Sequence, residues 1–280
     1  MTTLHCLGAG AGTTSIYEGE PSSSWALRRG NAFFLADLGA GVCRSALRQL
    51  GEIPSTIFIS HNHSDHAAEL PIVLAVEGLQ KKRGMRVIAA PEVMERLQKH
   101  RMHELLSTGC ELGSFASWQS APEGEAVNVE TEAGRMKITT RRSLHSECCF
   151  GACIQMGDLR IGWTADSGFS QSLLDALSRS HLLIVDARKV GGPEHASFQD
   201  IVEYVSSRED VAFLGVNPQQ GVCQVAVLGY GSQAQVPQDE LPPSAVLKPG
   251  DVIAFCEDTL MPCRVTRRPD FFTRLCTWCS

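Results

Sequence analysis

The chain has 280 residues, 43% of them hydrophobic, and a formal net charge of −6 at neutral pH. This composition fits a globular protein and argues against a broad nucleic-acid-binding surface, while leaving room for a small phosphate pocket. No apolar run reaches the length of a membrane span, and Met1-Thr2-Thr3-Leu4-His5 opens no signal-peptide pattern, so a cytoplasmic location is expected.

Residues 3–8 read as a strand that ends in the turn Gly8-Ala9-Gly10-Ala11-Gly12. The lysine of a phosphate-binding loop is absent, and a tight bend bringing backbone close to a site fits better. Asn31 to Asp37 is a second strand, closed by Asp37-Leu38-Gly39-Ala40-Gly41; its aspartate is either a turn former or a group that orients a ligand histidine. A short amphipathic helix follows over 42–51, and Thr56-Ile57-Phe58-Ile59 is a short buried strand.

That strand runs into Ser60-His61-Asn62-His63-Ser64-Asp65-His66, where four potential metal ligands fall within six residues. In an extended turn, residues two apart can point the same way, and a strand-to-helix loop leaves side chains free to converge. Imidazoles with a carboxylate suit zinc, iron or manganese. A helix is expected from His66 through Leu79, a strand at 86–89, and a helix from Pro91 to about Ser107. His100 and His103 on that helix, beside Lys99 and Arg101, read as surface residues.

Residues 108–135 look like loops with a strand at 126–129, and 135–140 is again a strand. His145 lies just past it, with Arg141 and Arg142 placed either to meet an anion or to form a solvated strand end. Phe150–Met156 and Leu159–Trp163 form a hairpin about Gly157-Asp158, and the second strand exits into Thr164-Ala165-Asp166-Ser167. His181 reads as a structural edge residue. Glu194-His195-Ala196-Ser197 precedes a helix over 198–207, and 211–216 is a strand ending at Asn217. The tail 221–280 holds strand-like pieces at 222–228, 251–255 and 264–266. With no repeat or linker, residues 1–280 are expected to form a single domain, the tail being its less regular β-rich part. The eleven cysteines are an odd number without a secretory signal, so buried thiols are favoured over disulfides. Only Cys276 and Cys279 have a zinc-ligand spacing.

His61, His63, Asp65, His66, His145 and Asp166, in that order, resemble the ligand series of the metallo-β-lactamase superfamily. Leu7-Gly8-Ala9-Gly10, Asp37-x-Gly39-x-Gly41, Glu69-Leu70-Pro71 and Thr164-Ala165-Asp166-Ser167 extend the resemblance to the ribonuclease Z and small-phosphodiesterase branch, over roughly residues 4–217. The resemblance implies an α/β fold, an αββα sandwich with the metal site at one edge of its two sheets. It also implies one metal on His61, His63 and His145, and another on Asp65, His66 and a bridging Asp166. Zinc is the expected ion, as one ion or two, with manganese or iron as alternatives.

The expected activity is hydrolysis of a small phosphodiester, such as a cyclic nucleotide, by a metal-activated hydroxide. Asp65 and His195 are the expected catalytic residues, His195 protonating the leaving group. The sequence departs from the branch at Asn217, where a last histidine ligand is usual, and no histidine follows His195. This keeps open a ligand-binding protein with a degraded second metal site, beside a thioester or lactone hydrolase and an iron-dependent sulfur dioxygenase. Only twenty residues separate His145 from Asp166, too few for the protruding arm of transfer-RNA-processing relatives. The partner expected is therefore a small anionic substrate rather than transfer RNA or a membrane, with a homodimer allowed.

Overall fold

The computed structural model describes residues 1–12, 17–131, 134–216, 218–231, 236 and 241–267. Asn217, Cys276 and Cys279 lie outside them. Two mixed sheets face each other. The first runs in the order β16 (Pro262–Arg267), β15 (Asp251–Phe255), β1 (Thr2–Gly8), β2 (Ser24–Arg29), β3 (Ala32–Ala36), β4 (Thr56–Phe58), β5 (Arg86–Ala89), β6 (Ser117–Ser120). The second runs β13 (Val211–Phe213), β14 (Cys223–Leu228), β11 (Leu182–Arg188), β10 (Leu159–Trp163), β9 (Phe150–Met156), β8 (Gly134–Arg142), β7 (Ala126–Thr131), with β12 (Ala196–Ser197) beside β11.

Period-two alternation decides which side chains meet. Phe34 and Phe58 point into the space between the sheets, where Trp163 stands edge-on to Trp25 at 5.9 Å and to Phe58 at 6.2 Å. Their neighbours Leu35 and Ile57 point to the other face, onto Val42 and Ala46 of helix α1 (Val42–Leu50). The same layer takes Leu70 and Val73 of α3 (Leu70–Val73), which follows the one-turn α2 (Ser64–Ala67), and Val93 of α4 (Pro91–Arg96). On the far sheet, Leu173, Leu174 and Leu177 of α6 (Gln171–Leu177) and Ile201 and Val205 of α7 (Phe198–Ser206) supply the other helical cover. The result is the expected αββα sandwich. No helix among the described residues is long and apolar enough to cross a membrane.

Several elements differ from the sequence expectations. The helix expected from His66 to Leu79 is broken: α2 ends at Ala67, α3 starts at Leu70, and Leu74–Gln80 is π-helical. Gly78 is packed so tightly there that a Cβ would lie 1.9 Å from the Phe115 carbonyl oxygen. The helix expected over 91–107 likewise widens to a π-turn at Leu97–Arg101 before α5 (His103–Leu106). Strands β2 and β6 and helix α6 fall where none was expected. The strand expected over 211–216 stops at Phe213, because Gly215 turns the chain with φ +82°.

Strands β3, β4 and β5 are parallel, as are β10, β11 and β14. Loops after parallel strands emerge together at the carboxyl edge, the usual place for a ligand in an α/β sheet. Glycine makes one close approach there possible. A Cβ on Gly39 would sit 1.8 Å from the Asp65 carbonyl oxygen, so the turn after β3 lies directly against the histidine-rich loop. Gly39→Ala should therefore push the two loops apart and cost about 1–3 kcal/mol. Urea denaturation would read the loss, with metal content falling in parallel; an unchanged midpoint would mean the loops are not tightly packed.

Candidate metal centre

The first half of the site grows from Asp37. This residue ends β3 with φ +62°, a left-handed conformation that a non-glycine residue keeps only when its surroundings enforce it. Its buried carboxylate accepts from the Ser60 backbone N–H (2.7 Å) and the Ser60 hydroxyl (2.7 Å), and from His66 Nδ1 (2.5 Å). The Ser60 hydroxyl has one proton and gives it to Asp37, so it accepts from His61 Nδ1, 2.9 Å away. Both imidazoles are thereby held with Nδ1 protonated, which leaves Nε2 of His61 bare and turns Nε2 of His66 toward Asp65 and Asp166. Arg101 braces the outside of the loop, donating to the Asn62 side chain (2.8 Å) and carbonyl (2.6 Å). Glu69 accepts from the N–H groups of Gly41 and Cys43, which caps α1 and ties the helix to this loop.

The second half comes from the other sheet. His145 follows β8, and its Nδ1 donates to the Glu194 carbonyl at 3.3 Å, leaving Nε2 bare as well. Asp166 follows β10 after Ala165, which has φ +52°. His195 lies in the loop between β11 and α7. Its position is held by the Gly192 N–H bond to its own carbonyl, by Ala196 N–H to Ser167, and by the Ser197–Asp200 capping box of α7. Its Nδ1 donates to Asp186 at 2.6 Å.

Two donor sets converge where the halves meet. His61 Nε2 is 3.1 Å from His63 Nδ1, which is 3.2 Å from His145 Nε2. Beside them, His66 Nε2 faces Asp65 at 3.5 Å and Asp166 at 3.3 Å. The bare Nε2 atoms of His61 and His145 both face His63 Nδ1, which carries at most one proton and can satisfy only one of them. Zinc–nitrogen bonds of about 2.0–2.1 Å in a tetrahedron put ligand atoms about 3.3 Å apart, close to the observed spacing. The donor sets therefore fit cations: His61, His63 and His145 could hold one, and Asp65, His66 and Asp166 another.

The electrostatics agree. Burial holds the His61 imidazole well below the ordinary histidine range and that of His145 below it, which keeps both neutral and able to ligate. His66 is pushed the other way; burial opposes its charge, but Asp166 and Asp37 outweigh it. Burial would raise the Asp166 carboxyl, yet His66, then His61 and His195, hold it well below the usual range. Asp186 is raised to about 6 by burial and by the Asp166 charge, against the pull of His195 and Arg188.

The structure brings His61, His63, Asp65, His66, His145, Asp166 and His195 together, with Asp37 bonded to His66. His100 and His103 are exposed, and His181 accepts from the Arg160 N–H at a strand edge; none of the three joins a ligand cluster among the described residues. Of the two arginines before His145, Arg142 lies over the Phe150 ring and against Cys148. Asp186, Arg188 and Arg101 were not expected. The signal for the first two was a charged pair, two residues apart, at the end of the apolar run Leu182–Val185.

This fold and this donor arrangement are those of a protein of the metallo-β-lactamase fold. Similar solved structures include the metallo-β-lactamase fold protein YhfI from Bacillus subtilis, at 16% identity and TM-score 0.68 over 91% of this chain and 100% of that one. A diphosphatase of the PhnP family matches at 18% identity and TM-score 0.67, over 91% and 98% of the two chains. Human tRNase Z, short form (ELAC1), matches at 17% and 0.61, over 90% and 98%. Residues 2–216 match the family model described as anti-Pycsar protein Apyc1, and the chain belongs to that family. No curated protein sequence matches.

Asp37→Asn tests the foundation of the site. An amide at that place loses the charge that holds His66 and Ser60, and metal affinity should fall roughly 10–100-fold. Competition with a chromogenic chelator measures this; wild-type affinity in the variant would remove Asp37 from its orienting role.

Proposed function

We propose that the chain is a metal-dependent hydrolase of small phosphodiesters, such as a cyclic nucleotide. The carrying observation is His195, held by a buried carboxylate through Nδ1 with its Nε2 free, at the rim of two convergent donor sets. The names of similar structures, among them a diphosphatase, a tRNase Z and yeast PDE1, support phosphoester hydrolysis as the class.

Cations bound to the two sets would lower the pKa of a water toward neutrality and offset charge on the attacked phosphorus. The chain's own groups supply the rest. Asp65 and Asp166 would help hold the cations and partly neutralise them. From a doubly protonated ring His195 delivers its Nε2 proton to the departing oxygen, while Asp186 at Nδ1 orients the ring and offsets its charge. The spent imidazole is then bare at Nε2 and regains its proton from solvent, to which the side chain is partly open. A thioester or lactone substrate remains the competing reading; a panel of phosphodiester, thioester and lactone substrates, with zinc or manganese added, separates the two.

His195→Ala should leave metal content intact and lower turnover by roughly 10²–10⁴-fold for a poor leaving group, with a smaller loss for nitrophenolate. Equal losses on both would assign the residue to positioning instead.

Asp186 carries a stability cost that the proposal explains. Its folded pKa of about 6 lies above the ordinary 3.8. The folded state therefore binds the proton more tightly, and ionisation opposes folding as pH rises from about 4 to 6. Asp186→Asn should stabilise the chelator-treated protein by about 2–3 kcal/mol at pH 8 while slowing turnover. The gain should disappear below about pH 4, where the native carboxyl is neutral in both states. Urea denaturation across this range would overturn the assignment if the variant were no more stable at pH 8.

A further inference from the structure

The cations around the centre are mostly engaged. Arg101 is spent on Asn62, Arg142 on the Phe150 ring and Cys148, and Arg96 on Glu147. Arg188 is different. It ends β11, two residues beyond Asp186, so the two side chains leave the same face of the strand. Its place is fixed by the pairing of Arg188 with Ser197 of β12, next to His195. Asp186 reaches His195, and Arg188 reaches toward Asp166, with Nη2 3.8 Å from Oδ2. That distance is too long for a hydrogen bond. Nε is buried and has no partner, and the guanidinium makes no hydrogen bond among the described residues. The side chain is still 28% exposed, so a ligand can reach it.

A half-buried guanidinium with unclaimed donors is costly unless something accepts from it. An anionic acceptor suits the place, since the nearest protein charge stands beyond bonding distance and is shared with His66 at 3.3 Å. Cations on the donor sets would draw further on Asp166 and leave Arg188 still less well paired. The planar fork matches two oxygens of a phosphoryl group, which a hydrated point charge such as lysine does not.

We propose that Arg188 grips a non-bridging oxygen of the scissile phosphoryl group, beside the proton donor His195. Arg188 is then a substrate-contacting residue, and the negative charge of the substrate is a condition of productive binding. This rests on the phosphodiesterase reading for its turnover consequence alone; its binding consequence does not depend on it.

The test uses the metal-containing protein with Arg188→Gln and Arg188→Lys. Metal content per chain, thermal midpoint, calorimetric affinity for inorganic phosphate, and turnover of bis(p-nitrophenyl) phosphate are measured for each. With metal content unchanged, Arg188→Gln should weaken phosphate binding roughly 10–100-fold, the worth of a hydrogen-bonded charge. Its kcat/KM should fall at least as far, and Arg188→Lys should lie between the two. Phosphate affinity within twofold of wild type in the Gln variant overturns the proposal, as does failure of the wild type to bind phosphate at millimolar concentration. Loss of metal in both variants also overturns it, because Arg188 would then serve the Asp166 carboxylate. If the wild type binds phosphate but does not turn over the diester, the proposed reaction fails while the titration still decides the role of Arg188.

Discussion

The buried carboxylate of Asp37 fixes the geometry on which the centre depends. It stands at the end of β3 in a strained left-handed conformation and spends its oxygens on Ser60 and His66. Through Ser60 it also sets the tautomer of His61. One side chain therefore fixes the turn after β3, the start of the histidine-rich loop, and the orientation of two imidazoles, one in each donor set. The nearby glycine has the same logic, since only a residue without Cβ lets the β3 turn touch the Asp65 carbonyl. Backbone strain at Asp37 is tolerable because three hydrogen bonds repay it.

The charge arrangement makes little sense without cations. Asp37, Asp65, Asp166 and Asp186 are all buried within one neighbourhood. Burying like charges together is unfavourable unless they are paired, and the available pairing is incomplete. His66 serves three carboxylates, Asp37 at 2.5 Å and Asp166 and Asp65 at 3.3 and 3.5 Å, while His61 and His145 are driven to the neutral form. The protein alone leaves excess negative charge and bare nitrogens facing one small volume. A divalent ion satisfies both at once.

The sequence revealed the first half of this site readily because its ligands are contiguous. Four donors within six residues need no knowledge of the fold, and the flanking strand and helix patterns placed them on a loop. The second half was legible only as acidic or imidazole residues at strand exits, joined to the first by resemblance. Asp186 and Arg188 went unread because their strand looks like an ordinary buried run; their roles depend on the sheet face they share, and only the pairing of β11 with β12 brings them to His195. The serine-rich start of β2 disguised a strand. The π-turn at Leu97–Arg101 could not be anticipated from periodicity, since it answers to a tertiary contact, the reach of Arg101 back to Asn62.

The two sheets also divide the chemistry. The first supplies a rigid, densely hydrogen-bonded cradle whose parts hold one another before any substrate arrives. The second contributes His145 and Asp166 to complete the donor sets, and then His195, Asp186 and Arg188 beside them. At the seam the halves are joined by the Phe150 N–H bond to the Ser60 carbonyl and by Cys149, whose sulfur lies 3.5 Å from His61 Nδ1 and 3.4 Å from the Asp166 carbonyl. A cation shared across that seam would pull on both sheets, so metal binding and docking of the sheets are one equilibrium.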